Sequence, residues 1–149
     1  MEEENKTFDN SVPEPSKEAV KTNEEKREEL KNLALGAAVA SYGYIKDLKA
    51  NGHNSLGNLI FQDSMKILTS AGIASGSIGR DRFTEHLEDG FYASGRLLVY
   101  LDFAQYLTTN DAIRLELIES ITTLHKIFAA SVKTVRSKNP IPANVPVAV

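Results

Sequence analysis

The stretch FTEHLEDGFYASGRLLVYLDFAQYL, residues 83–107, decides the fold. Within it Phe83, Leu87, Gly90, Ser94, Leu97, Leu101 and Ala104 recur with 4-3-4-3 spacing, which only a helix places on one face. Ile113, Leu117, Ser120, Leu124, Ile127 and Ser131 repeat the rhythm after a short polar break, so the two segments read as an antiparallel helical hairpin with a small and apolar seam. Upstream, Leu30, Ala34, Ala37, Ser41, Tyr44 and Leu48 carry the same seam on another helix. Leu56, Leu59, Ile60, Met65, Ile67, Leu68 and Ala71 supply one more between them. No segment alternates with period two for long enough to be a strand. The pattern predicts an all-α chain, an antiparallel up-down four-helix bundle with irregular N- and C-terminal tails.

The punctuation between the seams sets the boundaries. Residues 1–22 contain Pro13 and Pro15 and only Phe8, Val12 and Val20 as sizeable apolar residues. They bury too little surface to offset ordering entropy and read as a disordered or loosely docked acidic tail. Asn23 caps the first helix in this reading, followed by Glu24 and Glu25 at the positive end of its dipole. Asn51-Gly52 stops it, Asn54 or Ser55 caps the second helix, and the second ends near Ser75 in a small-residue stretch. Arg80-Asp81 opens the third, Thr108-Thr109-Asn110 turns the chain, and the fourth runs to about Arg136 before Asn139-Pro140. The bundle thus spans 23–137, and 138–149 is an extended Pro-rich tail.

Composition agrees and excludes several classes. The 149 residues are one domain's worth, and all five Pro lie outside the periodic stretches. The absence of Cys removes disulfides, thiol catalysis and cysteine metal sites. The longest uncharged run in the periodic region, Asn32 to Ile45, is 14 residues, shorter than the ~20 that a membrane span needs. No membrane association is expected. Glu2-Glu3-Glu4 is not a basic segment leading into an apolar one, which predicts a cytoplasmic protein. Net charge is −3, yet residues 1–31 hold ten acids against six bases while 32–149 hold ten against eleven, so the bundle itself is near neutral.

The residues that carry chemistry elsewhere are not grouped for it here. A di-iron bundle needs Glu-x-x-His on two helices, but the residues three before the histidines are Ala50, Phe83 and Thr122. Glu85, His86, Glu88 and Asp89 read as a solvated first turn, and His53 as a polar loop residue. Ser131 and His125 lie six apart on one helix and point differently, so a nucleophile and its base do not meet through them. Gly72, Gly76 and Gly79 match neither phosphate-loop pattern and suit a tight helix-to-helix connection. The chain is expected to be no enzyme and to need no cofactor or metal.

Two surface features remain. Lys126, Lys133 and Arg136 fall within about a 100° sector opposite the fourth helix's seam, Lys138 follows, and Arg80 precedes the third helix. These five cations form the candidate nucleic-acid contact, against the plainer reading that they keep the surface wet. Few exposed aromatics are expected beside the strip, which argues against base stacking. Glycine inside a helix costs roughly 1 kcal/mol relative to alanine. Gly36, Ala40 and Gly43 on the first helix, with Gly90 and Gly95 on the third, therefore mark close approach of another helix, from the same bundle or from a second subunit.

The stretch Gly72-Ile73-Ala74-Ser75-Gly76-Ser77-Ile78-Gly79-Arg80, followed by Phe83, Leu87, Ser94, Leu101, Ala104 and Leu107, resembles the four-helix-bundle proteins encoded by intervening sequences in bacterial 23S ribosomal RNA genes. The resemblance covers about residues 24–137. Related to that family are the Avd accessory proteins of diversity-generating retroelements, ring-shaped pentamers that bind RNA and a reverse transcriptase. The resemblance implies a homo-oligomeric, non-enzymatic accessory bundle, a pentamer by analogy, with RNA or a reverse transcriptase as partner. Ser75 stands where that family usually has Glu, Arg96 and Leu98 where it is usually acidic, and the bundle lacks the basic charge of the Avd type. The alternative reading is a protein-interaction adaptor with no nucleic-acid role.

Overall fold

The computed structural model describes residues 22–76, 83–107 and 111–138. They form four helices: α1 (Asn23–Ala50), α2 (Asn54–Ala74), α3 (Phe83–Ala104) and α4 (Asp111–Lys138). Each packs against the next and α1 closes the ring against α4, giving the all-α four-helix bundle that the seams predict.

Local chemistry moves several boundaries. Thr22, one residue earlier than expected, caps α1: its Oγ1 accepts from the Glu25 amide at 3.0 Å while its own amide donates to Glu25 Oε1 at 2.9 Å. This reciprocal box satisfies two otherwise orphaned amides and assigns residue 22 to the bundle. Neither Asn54 nor Ser55 caps α2; both lie inside it, and His53 precedes it without a side-chain cap. Instead His53 Nε2 donates to the Leu107 carbonyl at 3.1 Å, so the residue read as a plain loop polar ties the α1–α2 turn to the end of α3. Ser75 follows α2, and Gly76 there takes φ +86°, a conformation that favours glycine. The expected α3 opening at Arg80-Asp81 and the turn at 108–110 lie outside the described residues, as do residues 1–21 and 139–149. At its far end α4 runs to Lys138, two residues past Arg136.

The seams of α1 and α3 are the core. Leu30, Ala34, Ala37, Ser41, Tyr44 and Leu48 are buried, and so are Leu87, Gly90, Ser94, Leu97, Leu101 and Ala104. On α4 the expected seam is displaced. Arg114, Leu117, Ile121, Leu124, Phe128 and Val132 face inward, whereas Ile113 is 37% exposed and Ser120, Ile127 and Ser131 are half-buried. The face is turned by about 60°, because Phe128 and Ile121 outweigh the small polar residues the regular spacing selected.

Gly90 shows why the turn matters. A β-carbon there would lie 2.6 Å from Phe128 Cε1 and 2.8 Å from Ser70 Cβ, so α3 is pressed against both α2 and α4 at this level. Phe128 is wholly buried in the space that glycine leaves. Polar groups also enter the core. Asp63 on α2 is buried and accepts from Arg96 on α3, Nη2 to Oδ1 at 2.8 Å with Nε at 3.3 Å from both oxygens. Arg114, only 6% exposed, donates through Nη1 to the Leu101 carbonyl and through Nε to Asp111. Tyr44 lies beside that arginine with its hydroxyl unpartnered among the described residues. Burial pushes that hydroxyl above its ordinary value, with Arg114 opposing the rise.

Two outcomes are expected of thermal unfolding. Gly90→Ala loses about 1–3 kcal/mol to overpacking, outweighing its propensity gain, while Gly43→Ala, with no neighbour within 4 Å, gains up to ~1 kcal/mol; a stabilised Gly90→Ala contradicts the close approach. Since folding keeps the Tyr44 proton, its contribution is intact below the ordinary tyrosine range near ~10 and is lost as pH rises past it. Tyr44→Phe should therefore melt no lower at neutral pH and lose less stability under alkaline titration than the parent chain.

Candidate functional site

Helix α4 carries the candidate cations, and the rotated seam sorts them. Lys126 and Lys133 are exposed, seven residues and thus nearly two turns apart on the outer face, and carry no ion pair among the described residues. Arg136 does not sit with them. It turns toward α3, where Nη2 donates to Glu88 Oε2 at 2.7 Å and Nε at 3.2 Å. The Glu88 hydrogen bond holds its guanidinium above its ordinary value, with Tyr92 adding to the effect. Arg80 and the Lys138 side chain lie outside the described residues. Of the three described cations of the strip, two lysines carry no ion pair among the described residues and the arginine is engaged by a neighbouring helix.

Among the described residues one exposed aromatic accompanies the strip: Tyr92 of α3 hydrogen-bonds Arg136. Exposed Phe103 and Tyr106 lie toward the other end, where Leu101 meets Arg114 at the start of α4. Their exposure has a sequence signal: Tyr92 and Phe103 lie two positions after members of the α3 seam, about 200° around the helix.

The structure also brings together a pair that spacing along one helix did not suggest. Ser94 Oγ lies 2.8 Å from His125 Nδ1, and the imidazole stacks on Phe91 with centroids 4.8 Å apart and planes at 12°. Ser94 Oγ is also 2.9 Å from the Phe91 carbonyl, which can only accept. The one hydroxyl proton therefore goes to Phe91, and His125 Nδ1–H donates to Ser94. Ser94 has no exposed surface, so this hydroxyl does not reach a substrate. The pair fastens α3 to α4. Gly95 adjoins it, its absent β-carbon 3.4 Å from His125 Cε1.

The small-residue positions separate in the same way. Gly90 and Gly95 face neighbours within the bundle. Gly36, Ala40 and Gly43 are exposed, and among the described residues no atom beyond the helix's own backbone lies within 4 Å of a β-carbon added at either glycine. Exposed Leu35, Val39 and Tyr42 lie on the same helix, so the middle of α1 is apolar outward as well as inward. Among the described residues no group of three or more His, Asp or Glu is placed to hold a metal ion, and no helix is long and apolar enough to cross a membrane.

No family model, curated protein or solved structure matches the chain.

The hydrogen-bond assignment at Ser94 has a direct readout. Ring nitrogen chemical shifts are expected to show neutral His125 as the Nδ1–H tautomer, and Ser94→Ala to relax it toward a mixture; an Nε2–H ring in the parent chain contradicts the assignment.

Proposed function

We propose that this chain is a non-enzymatic, homo-oligomeric accessory bundle of the cytoplasm that contacts RNA or a nucleic-acid enzyme such as a reverse transcriptase. The observation that carries the reading is the pair of exposed lysines, Lys126 and Lys133, on the outer face of α4, without an ion pair among the described residues, with exposed Tyr92 of α3 against Arg136 of the same helix. Ammonium groups attract phosphate at long range, and an aromatic face accepts any base by stacking. The resemblance to the intervening-sequence and Avd proteins supports the same partner class. Self-association is supported by α1, where Gly36, Ala40 and Gly43 leave a smooth exposed strip that permits close approach of another helix.

The protein-adaptor alternative draws on the apolar character of these outer faces and on the near-neutral charge of the bundle. Retention of single-stranded RNA measured against salt separates the two. Under the proposal, log affinity falls linearly with log salt, and replacing Lys126 and Lys133 by Ser flattens the slope by about 0.7 for each phosphate that is no longer neutralised. Replacing Arg136, already engaged by Glu88, changes it little. Absent retention, or a slope indifferent to both lysines, leaves the adaptor reading.

A further inference from the structure

The Glu88–Arg136 pair borders the surface proposed above. Arg136 follows Lys133 by three residues, a spacing at which side chains are neighbours on a helix, so its stem begins beside the lysine strip. Its head is drawn away. Nε and Nη2 both donate to Glu88 Oε2, at 3.2 and 2.7 Å, and the Tyr92 side chain takes a further hydrogen bond from the same guanidinium. The pair is nonetheless open to water: 56% of the Arg136 side chain and 31% of that of Glu88 are exposed. An exposed pair of this kind contributes little to the fold, and a competing anion can reach both of its members.

We infer that Glu88 is a positioning residue that limits the RNA contact of α4 to its two lysines, by holding a third phosphate-binding cation out of the strip. The inference rests on the RNA-contact reading above and concerns the strength of that same surface. Two effects act together. The planar fork of donors that suits a phosphate also suits a carboxylate, so Glu88 and an RNA phosphate compete for the same edge of Arg136. Glu88 is fixed on the adjoining helix at hydrogen-bond distance, whereas a phosphate must first give up its freedom in solution. The second effect is repulsion. A phosphate oxygen bound at Nη2 would lie within a few ångström of Glu88 Oε2, and like charges at that range oppose each other. Asp89, the next acid along α3, takes no part in this contact. It lines the cleft toward α2 with Met65, Lys66 and Thr69, on the side of the helix away from Arg136.

Retention of single-stranded RNA is measured against salt for the full chain and for Glu88→Gln, Glu88→Ser, Arg136→Ser, the double variant Glu88→Gln/Arg136→Ser, and Asp89→Asn. The last makes the same charge change one residue along the helix. The inference requires both Glu88 variants to steepen the plot of log affinity against log salt by about 0.7, the contribution of one more phosphate on a single strand. It also requires Arg136→Ser, Asp89→Asn and the double variant to keep the parent's slope, because the gain passes through Arg136 alone. Circular dichroism of the Glu88 variants should match that of the parent. Parental slopes in both Glu88 variants, with Lys126 and Lys133 still contributing, overturn the inference and leave the RNA reading standing. Equal steepening in Asp89→Asn or in the double variant assigns the gain to bulk charge and overturns it too. Retention that is absent from the parent and from every variant overturns the inference together with the RNA reading.

Discussion

The contact on which the bundle turns is the approach of α3 to its two neighbours at Gly90. A helix carrying any larger residue there stands further off, and Phe128 of α4 and Ser70 of α2 occupy the space a side chain would take. Placing the Phe128 ring in that gap fixes the rotation of α4 about its axis. Rotation then decides which residues of α4 face inward: Leu117, Ile121, Leu124 and Val132 join Phe128, Arg114 is drawn under cover, and Arg136 comes to lie against α3. The intrinsic cost of a glycine in a helix is offset by the burial of one of the largest side chains in the core.

Around this contact the polar groups act as register marks. Apolar seams of leucine and alanine slide past one another at little cost, whereas an Asp63–Arg96 pair or a Ser94–His125 hydrogen bond is satisfied in one alignment only. The first joins α2 to α3, the second α3 to α4, and the His53 contact with Leu107 closes one end of the bundle. Each buries a polar side chain that would be unfavourable without its partner. The three contacts sit on α3 or in the turn that follows it, so α3 is the helix against which the others are aligned.

The fold was largely legible because the information is local. Heptad spacing, glycine and asparagine stops and the absence of internal proline need no knowledge of neighbours, and they placed α1 and α3 with their buried faces correct. The α4 seam failed by about 60° because spacing weighs Ser120 and Ile127 by position alone, while packing weighs them against Phe128 by volume. The candidate cations suffered in turn. Lys126 and Lys133 remain on the surface, but Arg136 is claimed by Glu88, a residue 48 positions away. The exposure of Tyr92 and Phe103 was readable from their place two positions after members of the α3 seam, yet a buried and an exposed face look alike until the neighbours are known.

The sequence by itself determined that this chain is helical and where α1 and α2 stop, because those follow from periodicity and backbone preference within a few residues. The tertiary structure decided which seam is core and which is surface. It also decided which glycine admits a phenylalanine, which arginine is free, and which serine meets which histidine. Those outcomes depend on volumes and distances between residues far apart in the chain, and in the folded bundle only one rotation of each helix satisfies them together.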